Sequence, residues 1–131
     1  MKPALRACLL AIAILAPLPA GALDLGELRV GLQASLQRGL ERSMIDGAVR
    51  NLDVTTGQVT DYYIAESHTV IVKLNDLFVM CATLVDAKGT EATVDYYLAP
   101  NGRQLTIIRA EINYRAPLKA LIDAGKAQRL E

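Results

Sequence analysis

The sequence is poor in the side chains that bind metals, since its 131 residues include one histidine and two cysteines. A structural zinc site needs about four such ligands, so we expect no metal and no cofactor. Lysine plus arginine number 14, and so do aspartate plus glutamate. A nucleic-acid-binding protein needs an excess of cations to displace counterions, so we expect no nucleic-acid partner. The sequence also lacks a glycine-rich phosphate-binding motif, a Gly-x-Ser-x-Gly motif and a metal-binding helix motif.

The composition is that of a folded chain. Hydrophobic residues make up 52% and charged residues 21% of the sequence, whereas a disordered chain is rich in charge and poor in apolar residues. One domain is the expectation at this length.

Residues 1–22 have the pattern of a secretory signal peptide. Lys2 and Arg6 precede an unbroken apolar run over residues 7–15, two prolines follow, and Ala-Gly-Ala at 20–22 offers a cleavage site before Leu23. The apolar run is too short for a membrane-spanning helix, which needs about 20 residues. We therefore predict a cleaved signal peptide over residues 1–22 and a single domain over residues 23–131. We expect a periplasmic or secreted protein with no membrane span after cleavage.

Signal cleavage would change both the charge and the cysteine count. Lys2 and Arg6 leave without an acidic residue, so 12 basic residues remain against 14 acidic ones. Cys8 leaves too, and Cys81 becomes the single cysteine. An intrachain disulfide is then impossible, and in an oxidising compartment Cys81 must be buried, paired with another chain or reactive.

The mature chain begins with an amphipathic pattern. Leucines recur at helical spacing from Leu25 to Leu40 and are followed by Met44, which predicts a helix of about five turns. Asp24 and Glu27 have the spacing of a capping box, and Gly47 can end the helix. The arginines of this helix, among them Arg38 and Arg42, are mixed with acidic residues. We therefore read them as part of a solvated helix face.

After Gly47 the pattern alternates with a period of two, which indicates strands. Turn signals such as Ser67-His68, Lys88-Gly89 and Asn101-Gly102 separate the strands, and short connections favour an antiparallel meander. A short helix opens at Pro117 and ends at Gly125. The strands are expected over residues 49–55, 58–66, 69–75, 77–86, 91–99 and 104–113.

Two-residue hairpin turns would fix the register and divide the sheet into two faces, because directly paired residues point to the same side. On this assumption Val72 lies opposite Val79, and Cys81 lies opposite Val70 on one side and Tyr96 on the other. The long helix is expected to pack on the face that these residues share. The opposite face is partly apolar, which suggests an interaction site. The C-terminal segment 117–124, a second copy of the chain or a foreign partner would cover it. The candidate interaction residues on this face are Ile71, Phe78, Met80, Asp95, Tyr97 and Ile108.

The sequence therefore predicts an α+β fold with a long N-terminal helix packed on a curved antiparallel sheet and a short C-terminal helix. The order of these elements over residues 24–124 resembles that of the cystatin-like and NTF2-like architectures. The resemblance is one of element order and implies no function.

Few residues suggest catalysis. Cys81 and His68 are the available nucleophile and base, but Cys81 lies in the middle of a predicted strand, where a small buried hydrophobic side chain is the simpler interpretation. Asp61 and Asp95 fall on opposite faces in the predicted register, which argues against a catalytic pair of carboxylates.

The leading hypothesis is a small exported, non-catalytic binding protein. It would act on an envelope protein, a toxin or a hydrolase through a sheet face or its hairpin loops. The first alternative is a carrier of a small apolar ligand, with a pocket between helix and sheet and Tyr96 orienting the ligand. The second alternative is an enzyme centred on Cys81 or Asp95.

Overall fold

The computed structural model describes residues 24–131, so the predicted signal peptide lies outside the described residues. The strands β1 to β5 form one antiparallel sheet in chain order, and β6 pairs with β2. The α+β class and the order of long helix, sheet and short helix are confirmed. The elements are α1 (Leu25–Ser43), β1 (Val49–Leu52), β2 (Val59–Leu74), β3 (Leu77–Asp86), β4 (Glu91–Asn101), β5 (Gln104–Ile112), α2 (Ala116–Asp123) and β6 (Gln128–Leu130).

The leucine pattern forms α1 as expected, and Leu32, Leu36 and Leu40 are buried against the sheet. Its ends differ from the prediction. Asp24 makes no side-chain capping hydrogen bond, and its backbone carbonyl accepts from Leu28 N at 2.9 Å. The helix ends at Ser43, and Gly47 lies instead in the tight turn that follows, across which Ile45 pairs with Ala48. No helix within residues 24–131 is both long and apolar enough to cross a membrane.

The expected turn at Ser67-His68 is absent, and one strand of 16 residues replaces the two predicted there. The pairing of β2 with β3 shifts twice, between Ile64 and Glu66 and between Ser67 and Ile71. Such bulges bend a strand without ending it. The carbonyl of Thr69 in the second irregular segment accepts a hydrogen bond from Arg29 Nε of α1 at 3.2 Å. Polar residues in this segment thus mark a bulge, not a turn.

Next to the β2–β3 turn the register is as predicted, with Val72 opposite Val79. The predicted pairing of Val70 with Cys81 is absent, because Val70 lies in the second irregular segment. The β3–β4 hairpin differs by one residue, because Asp86 and Thr90 close a loop of three residues in which Gly89 has φ of +83°. Loops of three residues with a left-handed glycine are a common hairpin type. Asp86 Oδ1 fixes this loop by accepting from Lys88 N and Thr90 N, both at 2.8 Å.

A register change of one residue reverses the face of every side chain downstream of it. Cys81 consequently lies opposite Asp95, where the sequence predicted Tyr96. At the next hairpin Leu98 lies opposite Ile107, and a bulge between Tyr97 and Leu98 then places Tyr96 opposite Ala110.

The assignment of the long helix to the face of Val72, Val79 and Cys81 was therefore wrong. The leucines of α1 pack instead against the side that carries Ile71 and Met80, together with Val94, Tyr96 and Leu98 of β4. The short helix α2 packs on the other side, where Leu118 and Ala127 form a second buried cluster with Val72 and Val79. The C-terminal segment does cover one sheet face, but it is the face that the sequence assigned to α1.

Candidate functional site

The change of register brings together three polar side chains on the α2 side of the sheet. Cys81 of β3 and Asp95 of β4 are cross-strand partners, and Arg115 stands immediately before α2. Arg115 Nη2 donates to Asp95 Oδ1 at 2.8 Å, and Nε is 3.3 Å from Oδ2. The same Nη2 lies 2.6 Å from Cys81 Sγ. One guanidinium therefore joins two strands to the start of α2.

The three groups differ in their access to solvent. The side chain of Asp95 is 3% exposed and that of Arg115 is 49% exposed. A buried carboxylate without a counter-ion is costly, and Arg115 is the counter-ion of Asp95. The hydrogen bond to Asp95 raises the pKa of Arg115 above its ordinary value, so this arginine is a fixed cation.

The thiol of Cys81 is poorly suited to nucleophilic catalysis. Burial, and then the neighbouring carboxylate of Asp95, raise its pKa to about 12, although the Arg115 cation acts in the opposite direction. A nucleophilic cysteine needs the thiolate near neutral pH. Cys81 instead remains a protonated group in the floor of a cleft.

This cleft lies between α2 and strands β2, β3 and β6, and its volume is about 640 Å³. We refer to it as the α2 cleft. Its size falls within the range of pockets that hold small organic ligands, about 300–1,000 Å³. Its lining residues are His68, Val70, Val72, Cys81, Arg115, Ala116, Leu118, Lys119, Ile122, Asp123 and Arg129.

Of the three lysine and arginine side chains that line the α2 cleft, two have ion-pair partners among the described residues. Lys119 Nζ pairs with Asp123 at 2.7 Å, and Arg115 is engaged by Asp95. Arg129 of β6 makes no ion pair within residues 24–131. His68 Nε2 is 2.9 Å from the hydroxyl of Thr83, so its ring is held on the cleft wall. The α2 cleft thus has an apolar interior and one cation, Arg129, that has no ion-pair partner among the described residues.

The six candidate interaction residues do not share one exposed face. Ile71 and Met80 are 0% and 1% exposed beneath α1, and Phe78 is packed against the same cluster. Asp95 is buried under Arg115 and Tyr97 packs against the α2 cluster, whereas Ile108 is 57% exposed on β5. Ile71, Met80 and Asp95 are therefore not available to a partner in this conformation. The six candidate residues come from both sheet faces because the predicted register assumed two-residue hairpin turns.

The carboxylates of Asp61 and Asp95 are not a pair, in keeping with the sequence analysis, and each binds an arginine. Arg50 Nε donates to Asp61 Oδ1 at 2.7 Å on the surface.

Sequence reasoning missed Arg115 and Arg129. The one available signal was a cation just before the C-terminal helix, which by itself is common. No group of three histidine, cysteine, aspartate or glutamate residues within residues 24–131 is placed to hold a metal ion.

No protein-family model, no curated protein and no solved structure matches this chain.

We expect Arg115→Met to lower the free energy of unfolding by about 3 kcal/mol, because it leaves the Asp95 carboxylate buried without its counter-ion. Adding Asp95→Asn removes that charge, so the double variant should recover part of the loss. Urea denaturation of the unchanged chain, Arg115→Met, Asp95→Asn and the double variant measures both effects.

Lys119→Met is the matched control, since it breaks an ion pair whose two side chains are 74% and 61% exposed. Its expected cost is below about 0.5 kcal/mol. A loss for Arg115→Met as small as that of Lys119→Met would show that the ion pair of Arg115 with Asp95 does not stabilise the fold.

Proposed function

We propose that this chain is a small exported binding protein that holds an amphipathic carboxylate, with an apolar body and one anionic group, in the α2 cleft. The observation that supports the proposal is the combination of apolar walls with the uncommitted Arg129 in a cleft of about 640 Å³. Val70, Val72 and Ile122 would contact the body of such a ligand. The signal-peptide pattern of residues 1–22 is the basis for proposing export.

The state of the polar groups favours binding over catalysis. The Cys81 thiol is protonated at neutral pH because burial raises its pKa to about 12. The Asp95 carboxylate is held by Arg115 and does not reach solvent. A bound molecule would therefore meet apolar side chains and cations, without a nucleophile or a free base from these two residues. The proposed pocket lies under α2, whereas the sequence placed a carrier pocket under the long helix.

Octanoate is a suitable probe because it combines an alkyl chain with one carboxylate. We expect saturable binding with one site per chain in isothermal titration calorimetry, and weaker binding of the neutral analogue octanol. Arg129→Gln should lower the affinity for octanoate about tenfold, the order expected for a hydrogen bond to a charged group. Val70→Trp should abolish binding, because Val70 lines the cleft and is 44% exposed.

Val30→Trp is the control for the bulky substitution, because Val30 is 67% exposed on α1, away from the cleft. Equal binding of octanoate by the Val70→Trp and Val30→Trp variants would exclude the α2 cleft as the site. The absence of saturable octanoate binding would count against the carboxylate proposal as a whole.

A second proposal, in which the chain acts on an envelope protein, a toxin or a hydrolase, is favoured by the β1–β2 hairpin. Val54 at its tip is 87% exposed, and the paired residues Leu52 and Val59 are 57% and 55% exposed. The tip is ordered, because Asp53 Oδ1 accepts from Thr55 N at 2.8 Å and from Thr56 N at 3.2 Å. A preorganised apolar tip is suited to an apolar pocket of a protein partner.

For this second function, immobilised protein should retain a specific envelope protein from an extract. Val54→Asp should abolish that retention, whereas Thr55→Asp places the same charge next to it and should reduce retention less. Equal retention by the unchanged chain and the Val54→Asp variant would exclude the hairpin tip as the contact.

A further inference from the structure

A second cleft, which we call the α1–β5 cleft, lies on the opposite side of the sheet between α1 and β5. Its volume is about 440 Å³, and none of the described residues that line it is acidic. The lining includes three arginines, Arg38, Arg42 and Arg109. This concentration of one charge stands out in a chain whose basic and acidic residues are equal in number.

Two of these three arginines have no ion-pair partner among the described residues. Arg109 pairs with Glu111. Arg38 and Arg42 make no ion pair within residues 24–131, and Arg38 Nη2 donates to the neutral hydroxyl of Ser35 at 3.1 Å. They stand four residues apart on a helix, where like charges repel each other. Two cations in this arrangement are stabilised when an anion binds between them.

The inner wall of the same cleft contains a polar group without a partner. Tyr96 is 2% exposed, and its hydroxyl has no hydrogen-bond partner among the described residues. Buried hydroxyls are normally hydrogen-bonded, so an unpaired one is costly. Burial raises the pKa of Tyr96 to about 12. The hydroxyl therefore stays protonated at neutral pH and can donate a hydrogen bond to an anion.

Small residues, among them Gly39 and Ala110, line part of this cleft. Gly39 lets α1 approach β5 closely, since a Cβ atom there would lie 2.8 Å from Ile107 Cδ1. Ala110 is the cross-strand neighbour of Tyr96 on β5, and both residues line the cleft. Leu40 and Leu105 add apolar surface to the lining.

We propose that the α1–β5 cleft binds a small organic phosphate. Arg38 and Arg42 would hold the phosphate group, because guanidinium groups match its oxygen geometry and two cations balance a dianion. The hydroxyl of Tyr96 donates to the ligand from the inner wall, and the apolar lining contacts the organic part. This site is separate from the α2 cleft and does not depend on the function proposed for it.

Phenyl phosphate is the probe, titrated calorimetrically into the full chain at fixed ionic strength. We expect one saturable site, with affinity reduced about tenfold in Arg38→Gln and in Arg42→Gln, the order expected for a charge-assisted hydrogen bond. Lys88→Gln removes the same charge from the exposed β3–β4 loop and should leave the affinity within about twofold. An equal loss in Lys88→Gln would show a general effect of net charge and would overturn the site.

Tyr96→Phe tests the hydroxyl separately. We expect weaker binding of phenyl phosphate, again about tenfold, while the midpoint of thermal unfolding is unchanged or higher because an unpaired buried group has been removed. Unchanged affinity in this variant would overturn the assigned role of Tyr96.

Two further titrations test the alternatives, which are a site for carboxylates as well as phosphates and binding of the phosphate in the α2 cleft. Benzoate should bind at least tenfold more weakly than phenyl phosphate, and equal binding would overturn the assignment to phosphates. Val70→Trp blocks the α2 cleft and should leave phenyl phosphate binding intact. Loss of phenyl phosphate binding in Val70→Trp would place the anion in the α2 cleft and overturn the proposal.

Discussion

The buried carboxylate of Asp95 is the constraint on which the α2 side of the molecule depends. A charge in the middle of a sheet needs a counter-ion that reaches it from outside the sheet. Arg115, the residue immediately before α2, supplies that counter-ion. From this start α2 buries Leu118 against Val72 and Val79. The chain then returns to the sheet as β6, beside β2, which completes the wall of the α2 cleft. One ion pair thus links the sheet, the short helix and the proposed ligand site.

Much of the architecture could be predicted from the sequence because it follows from local periodicity. The leucine spacing identified α1, and the alternating pattern placed β3 at residues 77–86, where the structure has it. The faces of the sheet could not be predicted, because they depend on whether a loop has two residues or three. Asp86 and Gly89 decide this at the β3–β4 hairpin, by a side-chain acceptor and a positive φ. The candidate site inherited this error, since Cys81 and Asp95 meet only in the observed register.

Other parts of the structure are determined by contacts between distant residues. The strand β6 has three residues and little pattern of its own, and its pairing with β2 at Val72 defines it. The bulge of β2 near His68 also depends on groups far along the chain, Arg29 and Thr83. The α2 cleft and the α1–β5 cleft lie on opposite faces of the sheet and differ in their chemistry. Within residues 24–131, the α2 cleft has paired charges and one arginine without an ion pair, whereas the α1–β5 cleft has arginines, an unpaired hydroxyl and no acidic residue in its lining.

The rate at which Cys81 reacts with a thiol reagent tests most directly whether Cys81, Asp95 and Arg115 form a closed cluster. In a chain with Cys8→Ala, Cys81 is the single thiol. With its pKa raised to about 12 and a side chain that is buried, the native protein at pH 8 should react at least about a thousandfold more slowly than the unfolded chain, whose thiol ionises near its ordinary pKa. A native rate within about tenfold of the unfolded rate would show an accessible thiolate. The cluster described here would then be wrong, and a reactive cysteine would replace the closed floor of the α2 cleft.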